Sequence, residues 1–416
     1  MRTFRKIPAC ITAIFLCGIA TARTVTIAAS NSLDQEKASA DVVCTGTHDE
    51  LTIQKVLDGF DGNSSESIRL TFYDGVYNID GFHLYPDATH RTAIKIPEIA
   101  YLEFGGQNNL RARSGINVEF KVNPSAYEGL DPQEQLCVML FSDNIGRNKN
   151  DARLRNFLIT LPDVNHKVIC INLFRCFGAI VENLFLTAAG TGPGVIPTEG
   201  SVGIRGQNVN TNGIGQFWKD ILARGFYEAF QMGGEHTICM GLLAYQSYYG
   251  YTFGNYERAE WGVWEHPITL INCSEELCCS LPLFNQCGET RDPNNAGRQC
   301  VDMISHTMEF RDNENGTLAP VLPAKEVVPG SWCGNITFAV NTKSLSKENA
   351  VDVKYWEDGS GHRFNTRNSA HALGGTTEER RSYVPTYVQT YFDTDLNKMV
   401  VFNGEQWVDY NGNKVD

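Results

Sequence analysis

The sequence predicts an all-β chain folded as a parallel β-helix, with a capping helix before it and a small β module after it. Two observations lead to this class. From about residue 100 to 340, short apolar runs alternate with Gly and Asn, and few segments show helical spacing of apolar residues. The segment 221–234 also aligns without a gap onto 242–255, an offset of 21 residues. Such short repeats, each with two or three β runs, suit coils stacked about 4.8 Å apart.

Further copies of the repeat extend the prediction in both directions. Residues 155–159 recur as 182–186, and 272–285 is a diverged copy that aligns onto 242–255 at an offset of 30. A leucine-rich repeat has a similar period, but its L-x-x-L-x-L frame is absent from these segments. The changing offset indicates that turns between the strands have gained residues.

The start of the chain predicts export. Residues 1–22 combine a basic start, an apolar stretch over 7–20 and a small-residue ending, which is the pattern of a signal peptide. The apolar stretch is shorter than the ~20 residues of a membrane-spanning helix. We therefore expect a mature chain that is secreted, periplasmic or on the cell surface, and not membrane-spanning. The net charge of −13 becomes about −16 once the three basic residues of this segment leave, which argues against a nucleic-acid partner.

Three further regions follow the signal peptide. Residues 23–340 are predicted to form the β-helix with its N-terminal cap, in which Thr47 and Glu50 make a capping box at the start of a short amphipathic helix. Such a helix can cover the open end of the stack. Residues 341–385 are polar and charged and predict an extension packed on or off the solenoid, and 386–416 predict a small β-hairpin module.

The segment 40–58, with the G-x-Y strand at 75–77, resembles the N-terminal cap and first coil of the pectate-lyase-like (pectin-lyase-fold) superfamily. The resemblance covers roughly residues 24–340 and implies a single-stranded, right-handed parallel β-helix. The C-terminal module resembles the endings of phage tail fibre and virion-associated proteins. This superfamily includes lyases, glycoside hydrolases, epimerases, tail spikes and adhesins, so the resemblance implies a fold and leaves the activity open.

Residues 217–266 hold the densest patch of side chains suited to sugars, because rings can stack on sugar faces, carboxylates can move protons and a cation can bind an acidic sugar. Equivalent residues of successive coils form rows, and the repeat predicts one row of Arg224, Tyr245 and Glu275 and another of Glu228, Tyr249 and Cys279. The predicted catalytic residues are Arg224, Glu228, Tyr245, Tyr249 and Glu275. The predicted substrate-binding residues are Tyr227, Tyr248, Tyr256, Glu257, Arg258, Trp261 and Trp264.

Two classes of function fit this patch. The first is a secreted protein that binds, and as a lyase or glycoside hydrolase cleaves, a polysaccharide in a groove along the solenoid. The second is a non-catalytic glycan-binding adhesin or a receptor-binding protein like a phage tail spike. Both have a polysaccharide or surface glycan as partner, and we expect a monomer, or a homotrimer in the spike-like case. The sequence predicts no metal and no cofactor.

Overall fold

The computed structural model of this 416-residue chain describes most of its N-terminal two thirds and parts of the remainder. The described residues are 23–60, 67–86, 88, 90–97, 101–108, 118–141, 151–162, 165–173, 176, 178–188, 195–206, 215–232, 236–253, 267–279, 283–284, 300–310, 336–340, 364–366, 373–382, 389–403 and 405–415. The predicted signal peptide lies outside them.

Strands dominate the described elements. In chain order these are β1 (Arg23–Ala28), α1 (Asp34–Ser39), β2 (Val42–Val43), α2 (Asp49–Asp58), β3 (Ser67–Phe72), β4 (Gly75–Ile79), β5 (Arg91–Ile96), β6 (Tyr101–Gly106), β7 (Val118–Val122), the 3-10 helix η1 (Pro124–Tyr127), β8 (Gln135–Phe141), β9 (Asp151–Leu161), β10 (Lys167–Asn172), β11 (Ile180–Ala188), β12 (Val202–Arg205), β13 (Phe217–Arg224), β14 (Glu228–Met232), β15 (Thr237–Met240), β16 (Leu243–Tyr245), β17 (Tyr249–Phe253), β18 (Pro267–Ile271), β19 (Ser274–Cys278), β20 (Leu283–Phe284), β21 (Cys300–Phe310), β22 (Ile336–Val340), β23 (Phe364–Thr366), β24 (Leu373–Gly375), α3 (Thr377–Ser382), β25 (Gln389–Asp393), β26 (Lys398–Phe402) and β27 (Trp407–Val408).

The strands stack in register into three parallel columns, which confirms the predicted parallel β-helix. The first column contains β1, β3, β6, β15, β18 and the first halves of β9, β11, β13 and β21. The second contains β4, β7, β16, β19 and the second halves of those long strands. The third runs β5, β8, β10, β12, β14, β17, β20. The offsets of 27 and 21 residues are those the sequence predicted, with Phe157 beside Leu184 and Leu222 beside Leu243.

The bend between the first and second columns falls on residues in the left-handed backbone region. Asn156, Asn183, Asp220 and Asn272 have φ between 52° and 60°, and Gly241 has φ 63°. Asn and Asp tolerate this conformation because their short side chains bond locally, and Gly tolerates it because it has no Cβ. The amide of Asn183 also donates to Oδ1 of Asn156 at 2.8 Å, so the bend is tied from coil to coil.

Alternating side chains fill the interior of the coils. Phe72, Phe104, Phe120 and Phe157 are fully buried, and neighbouring rings lie 4.6 to 5.8 Å apart. The outward positions of the first column carry charges instead. Glu103 accepts from Nε of Arg69 at 2.7 Å and pairs with Arg155 on the other side. The faces are therefore held by stacked rings inside and by an ion-pair ladder outside.

The interactions that hold the N-terminal capping helix α2 differ from those predicted. Helix α2 begins after His48, whose φ is 48°, and no side chain caps it, so the capping box from Thr47 is wrong. The acidic residues Asp49 and Glu50 are instead buried and bond to the end of β4: Asp49 accepts from the backbone amide of Asn78, and Glu50 from that of Asp80, directly after the strand. Hydrogen bonds to strand backbone dock the helix on the stack.

The C-terminal part forms a sheet of its own, with β24, β25, β26 and β27 in that order. Tyr391, Val400 and Trp407 form its small core, and the buried Arg380 of α3 donates to Asp393 at 2.7 Å. This sheet already includes strand β24, ahead of residue 386, and β23 joins the large parallel sheet beyond residue 340. Within the described residues, no helix has the length and apolar character to cross a bilayer.

Candidate functional site

The candidate site is the edge where the second column turns into the third, in the coils that contain β13 and β16. We call the residues Arg224, Tyr227, Tyr245, Tyr248 and Glu276 the corner surface. Here the chain leaves β13 through Gly225, which has φ 78°, and leaves β16 through Gln246, which has φ 50°. The turn aims the next side chains outward, and Tyr227 and Tyr248 are both half-exposed.

Two tyrosine rings of the corner surface stack on each other. The centroids of Tyr227 and Tyr248 lie 4.8 Å apart with an interplanar angle of 8°. Tyr249 meets both rings edge-on, at 5.7 and 4.7 Å. Tyr249 itself is buried, with 5% of its surface exposed, so it supports the stacked pair from below. Its predicted catalytic role therefore lacks the exposure that contact with a polymer requires.

The predicted row of charged and aromatic residues exists with one correction. Arg224 opposes Tyr245, as predicted, and the Arg224 guanidinium lies 5.5 Å from the centre of the Tyr245 ring. Tyr245 then opposes Glu276, where the sequence analysis had placed Glu275. Nε of Arg224 also donates to Gln246 at 3.1 Å, which fixes the guanidinium over the ring. The row exposes a cation, a ring and a carboxylate on successive coils.

Glu275 faces the opposite way. It opposes Ala244 and is fully buried, and its side chain lies against the backbone of Gly250. The third copy of the repeat is offset by 31 residues, one more than the alignment gave. Because side chains alternate along a strand, that one residue moves Glu275 from the outer surface to the interior. The same slip puts Cys279 beside Tyr248, since its amide donates to the carbonyl of Ser247.

Glu228 occupies the predicted position in the second row, opposite Tyr249. Its carboxylate is nearly buried, with 8% of the residue exposed, and accepts a hydrogen bond of 2.7 Å from the hydroxyl of Thr252. This contact joins two coils of the third column. The remaining predicted substrate-binding residues, Tyr256, Glu257, Arg258, Trp261 and Trp264, lie outside the described residues.

The sequence analysis missed a second group at the same edge. Ser201 accepts from the amide of Tyr227 at 2.9 Å and also lines a small cavity. Tyr127 and His166 line this cavity from other coils. No repeat marks these three residues, because they come from η1 and from two irregular segments between strands.

One cluster with metal-ligating atoms occurs in the described part of the chain. His48, Glu50 and Asp80 place one potential ligand atom each within 4.8 Å of the others. Oε1 of Glu50 already contacts ring nitrogens of His48 and His83, and Asp80 accepts from the amide of His48. These hydrogen bonds join the cap to the residues directly after β4, and they account for the closeness of the three side chains.

Comparisons with known proteins add little to this picture. No protein-family model matches the chain, and no curated protein matches it. Among solved structures, the crystal structure of bacteriophage CBA120 tailspike protein 3 is similar, with 12% identity and a TM-score of 0.28. The match covers 88% of this chain and 67% of that one. At this TM-score the likeness carries no argument about function, which has to come from the geometry of the corner surface.

Proposed function

We propose that this protein is exported and binds a polysaccharide or surface glycan along the corner surface. The observation that carries the proposal is the stacked pair of Tyr227 and Tyr248, whose rings are half-exposed on successive coils. Aromatic rings bind the apolar C–H faces of sugars, and coils about 4.8 Å apart repeat on the scale of a sugar unit. The half-exposed Arg224 and Glu276 beside them offer hydrogen bonds to hydroxyl or carboxylate groups.

Binding is a better account of this geometry than cleavage. Hydrolysis with two carboxylates requires both to reach the glycosidic bond from opposite sides. Of the carboxylates predicted to be catalytic, Glu275 is fully buried and Glu228 is nearly buried against Thr252. The proposal is therefore a glycan-binding protein of the adhesin or receptor-binding class. A monomer and a homotrimer are both compatible with a corner surface on each chain.

The test uses the mature chain and a panel of immobilised polysaccharides. We expect at least one polymer to bind, and Tyr227→Ala and Tyr248→Ala each to weaken that binding about three- to tenfold, the equivalent of roughly 1 kcal/mol per lost ring contact. Tyr410→Ala is the matched control, because this tyrosine is almost fully exposed in the C-terminal sheet. Its binding should equal that of the unmodified chain.

Two further readouts separate the alternatives. Reducing ends and the ultraviolet absorbance of unsaturated sugars, followed over time, report hydrolysis and β-elimination. Release of either product, with loss of release in Glu276→Gln, would replace the binding proposal by an enzymatic one. If no polymer binds, or if both tyrosine variants bind as well as the Tyr410→Ala control, the corner surface is not a glycan site.

A further inference from the structure

Three side chains with metal-ligating atoms meet where the N-terminal capping helix joins the stack. His48 precedes α2, Glu50 lies in the first turn of α2, and Asp80 directly follows β4. One ligand atom of each lies within 4.8 Å of the other two, and Nδ1 of His48 lies 3.1 Å from Oε1 of Glu50. Two ligand atoms on one tetrahedral zinc ion lie about 3.3 Å apart, since each bond is about 2.0 Å long. The distance between His48 and Glu50 is therefore close to that of two ligands of one ion.

Other groups already orient the two carboxylates. Oε1 of Glu50 lies 3.3 Å from Nε2 of His83, and Oε2 accepts from the backbone amide of Asp80 at 3.1 Å. Oδ1 of Asp80 accepts from the side-chain amide of Asn123 at 2.8 Å. Carboxylates that bind metals are commonly held by outer hydrogen bonds of this kind. An ionised carboxylate has about four lone-pair sites, so both groups keep lone pairs for an ion.

The charge around the cluster favours a cation. The carboxylates of Asp49, Glu50 and Asp80 meet here, and in the described part of the chain none of them pairs with a Lys or Arg. The N-terminus of α2 carries roughly +0.5 charge, so about 2.5 negative charges remain if the histidines are neutral. Burying a charge without a counter-charge is unfavourable, and Glu50 is fully buried. The hydrogen bonds explain why the side chains are close, and a divalent ion would offset most of their charge.

An ion has a route to the buried carboxylate. The side chain of His48 is 58% exposed and that of Glu50 is fully buried, so the imidazole ring lies on the solvent side and has room to turn aside. A neutral His48 with its proton on Nε2 presents the lone pair of Nδ1 to the ion. Imidazole combined with carboxylates suits zinc and related metals, whereas calcium takes oxygen ligands. We infer that His48, Glu50 and Asp80 bind one divalent transition-metal ion, with water completing its ligands.

Such an ion would tie the cap to the stack. Its ligands come from the start of α2 and from the end of β4, in the first coils, whereas the corner surface belongs to the coils of β13 and β16. The inference therefore goes beyond the proposed function and does not depend on it. It also departs from the sequence analysis, which predicted no metal.

The test is hydrogen exchange of the full mature chain, measured by mass spectrometry after a chelator has removed bound metal. Zn²⁺ is titrated into one sample and Ca²⁺ into another. We expect zinc to slow exchange of the α2 amides, by about a hundredfold when free zinc is a hundred times its dissociation constant. Calcium should bind more weakly, because one of the three ligands is a nitrogen atom.

His48→Asn removes the imidazole and keeps the backbone, since Asn also tolerates the left-handed region in which His48 has φ 48°. The variant should fold, and it should bind zinc about a hundredfold more weakly, because the loss of an outer-shell partner alone costs about 10- to 100-fold. His236→Asn is the matched control. This exposed histidine has φ 55° and lies on another coil, so the variant should bind zinc like the unmodified chain.

The inference is overturned if zinc leaves the exchange of α2 unchanged, or if His48→Asn responds to zinc like His236→Asn. Equal slowing by Ca²⁺ would also overturn it, because an ion without a preference for nitrogen would not need His48. The polymer panel is a separate result. His48→Asn should bind polymers like the unmodified chain, so the metal site and the glycan site can each fail without the other.

Discussion

The inward orientation of Glu275 can be tested by adding a single methyl group. Gly250→Ala would place a Cβ 2.5 Å from Cγ and 2.7 Å from Cδ of Glu275, well inside van der Waals contact. Glu275 is fully buried, so its side chain has no room to swing away. Overpacking of this kind costs about 1–3 kcal/mol. We therefore expect Gly250→Ala to destabilise the coils that contain β17 and β19.

A double-mutant cycle identifies the cause of the loss. Glu275→Ala removes Oε1, Cγ and Cδ, the three atoms that the new methyl group meets, so the double variant should be more stable than the sum of the single effects predicts. A coupling of about 1–2 kcal/mol is expected for residues in direct contact. Glu276→Ala is the matched control, because this neighbouring glutamate faces outward beside Tyr245 and should show no coupling to Gly250→Ala.

Hydrogen exchange of the backbone amides in β16, β17 and β19 is a suitable assay, because it reports local opening without requiring the whole chain to unfold in one step. A loss of 1–3 kcal/mol corresponds to exchange that is about 5- to 150-fold faster. Additive effects of Gly250→Ala and Glu275→Ala would refute the inward orientation of Glu275. If Gly250→Ala coupled to Glu276→Ala and not to Glu275→Ala, the row predicted from the sequence would be correct, with Glu275 on the surface.

The remaining predictions concern stability. Burial alone would raise the pKa of Asp393, but hydrogen bonds, first from Arg380, lower it overall. The stability from this pair is therefore present above the ordinary aspartate pKa of about 3.9 and is lost as pH falls through the lower folded value. At neutral pH, Asp393→Asn should lower the local stability of β25 and β26 by about 3 kcal/mol, which faster hydrogen exchange would report. The difference between this variant and the unmodified chain should shrink in acid. If the variant and the unmodified chain exchange equally fast at both pH values, the prediction is contradicted. Glu103→Gln should lower the thermal stability of the first coils by about 1–3 kcal/mol, because two arginines lose their shared carboxylate; an unchanged melting curve would show that the ladder is only a surface arrangement. Asn183→Ala should cost about 1–2 kcal/mol and Asn183→Gly less, because glycine keeps the left-handed backbone and loses only the bond to Asn156; equal losses for both variants would remove the backbone from the explanation.

Much of the fold could be predicted from the sequence because a β-helix repeats its local rules. The ungapped copies at offsets of 27 and 21 residues gave the correct register, since apolar residues must return to the same side in each coil. The third copy gave the wrong register by one residue. The αL positions at the bend would have corrected it, because aligning Asn272 with Gly241, and not with Leu242, places turn residues together.

The candidate site was less predictable for a different reason. Alternation along a strand decides whether a glutamate is a surface acid or a core residue, so an error of one position exchanged Glu275 for Glu276. Exposure could not be predicted at the turns, where Tyr248 faces outward and its neighbour Tyr249 is buried. The cavity lined by Tyr127, His166 and Ser201 has no sequence signal, since η1 and two irregular segments meet only in the folded chain.

The corner surface occupies this part of the solenoid for a physical reason. On the first column, outward side chains have neighbours on the coils above and below, and charged ones such as Glu103 and Arg155 bond to each other. At the corner the backbone turns, so successive rings such as Tyr227 and Tyr248 stack on each other and stay partly exposed. Aromatic rings and the partly exposed Arg224 and Glu276 therefore occur together at this edge, and the flat columns supply the rigidity that holds them in place.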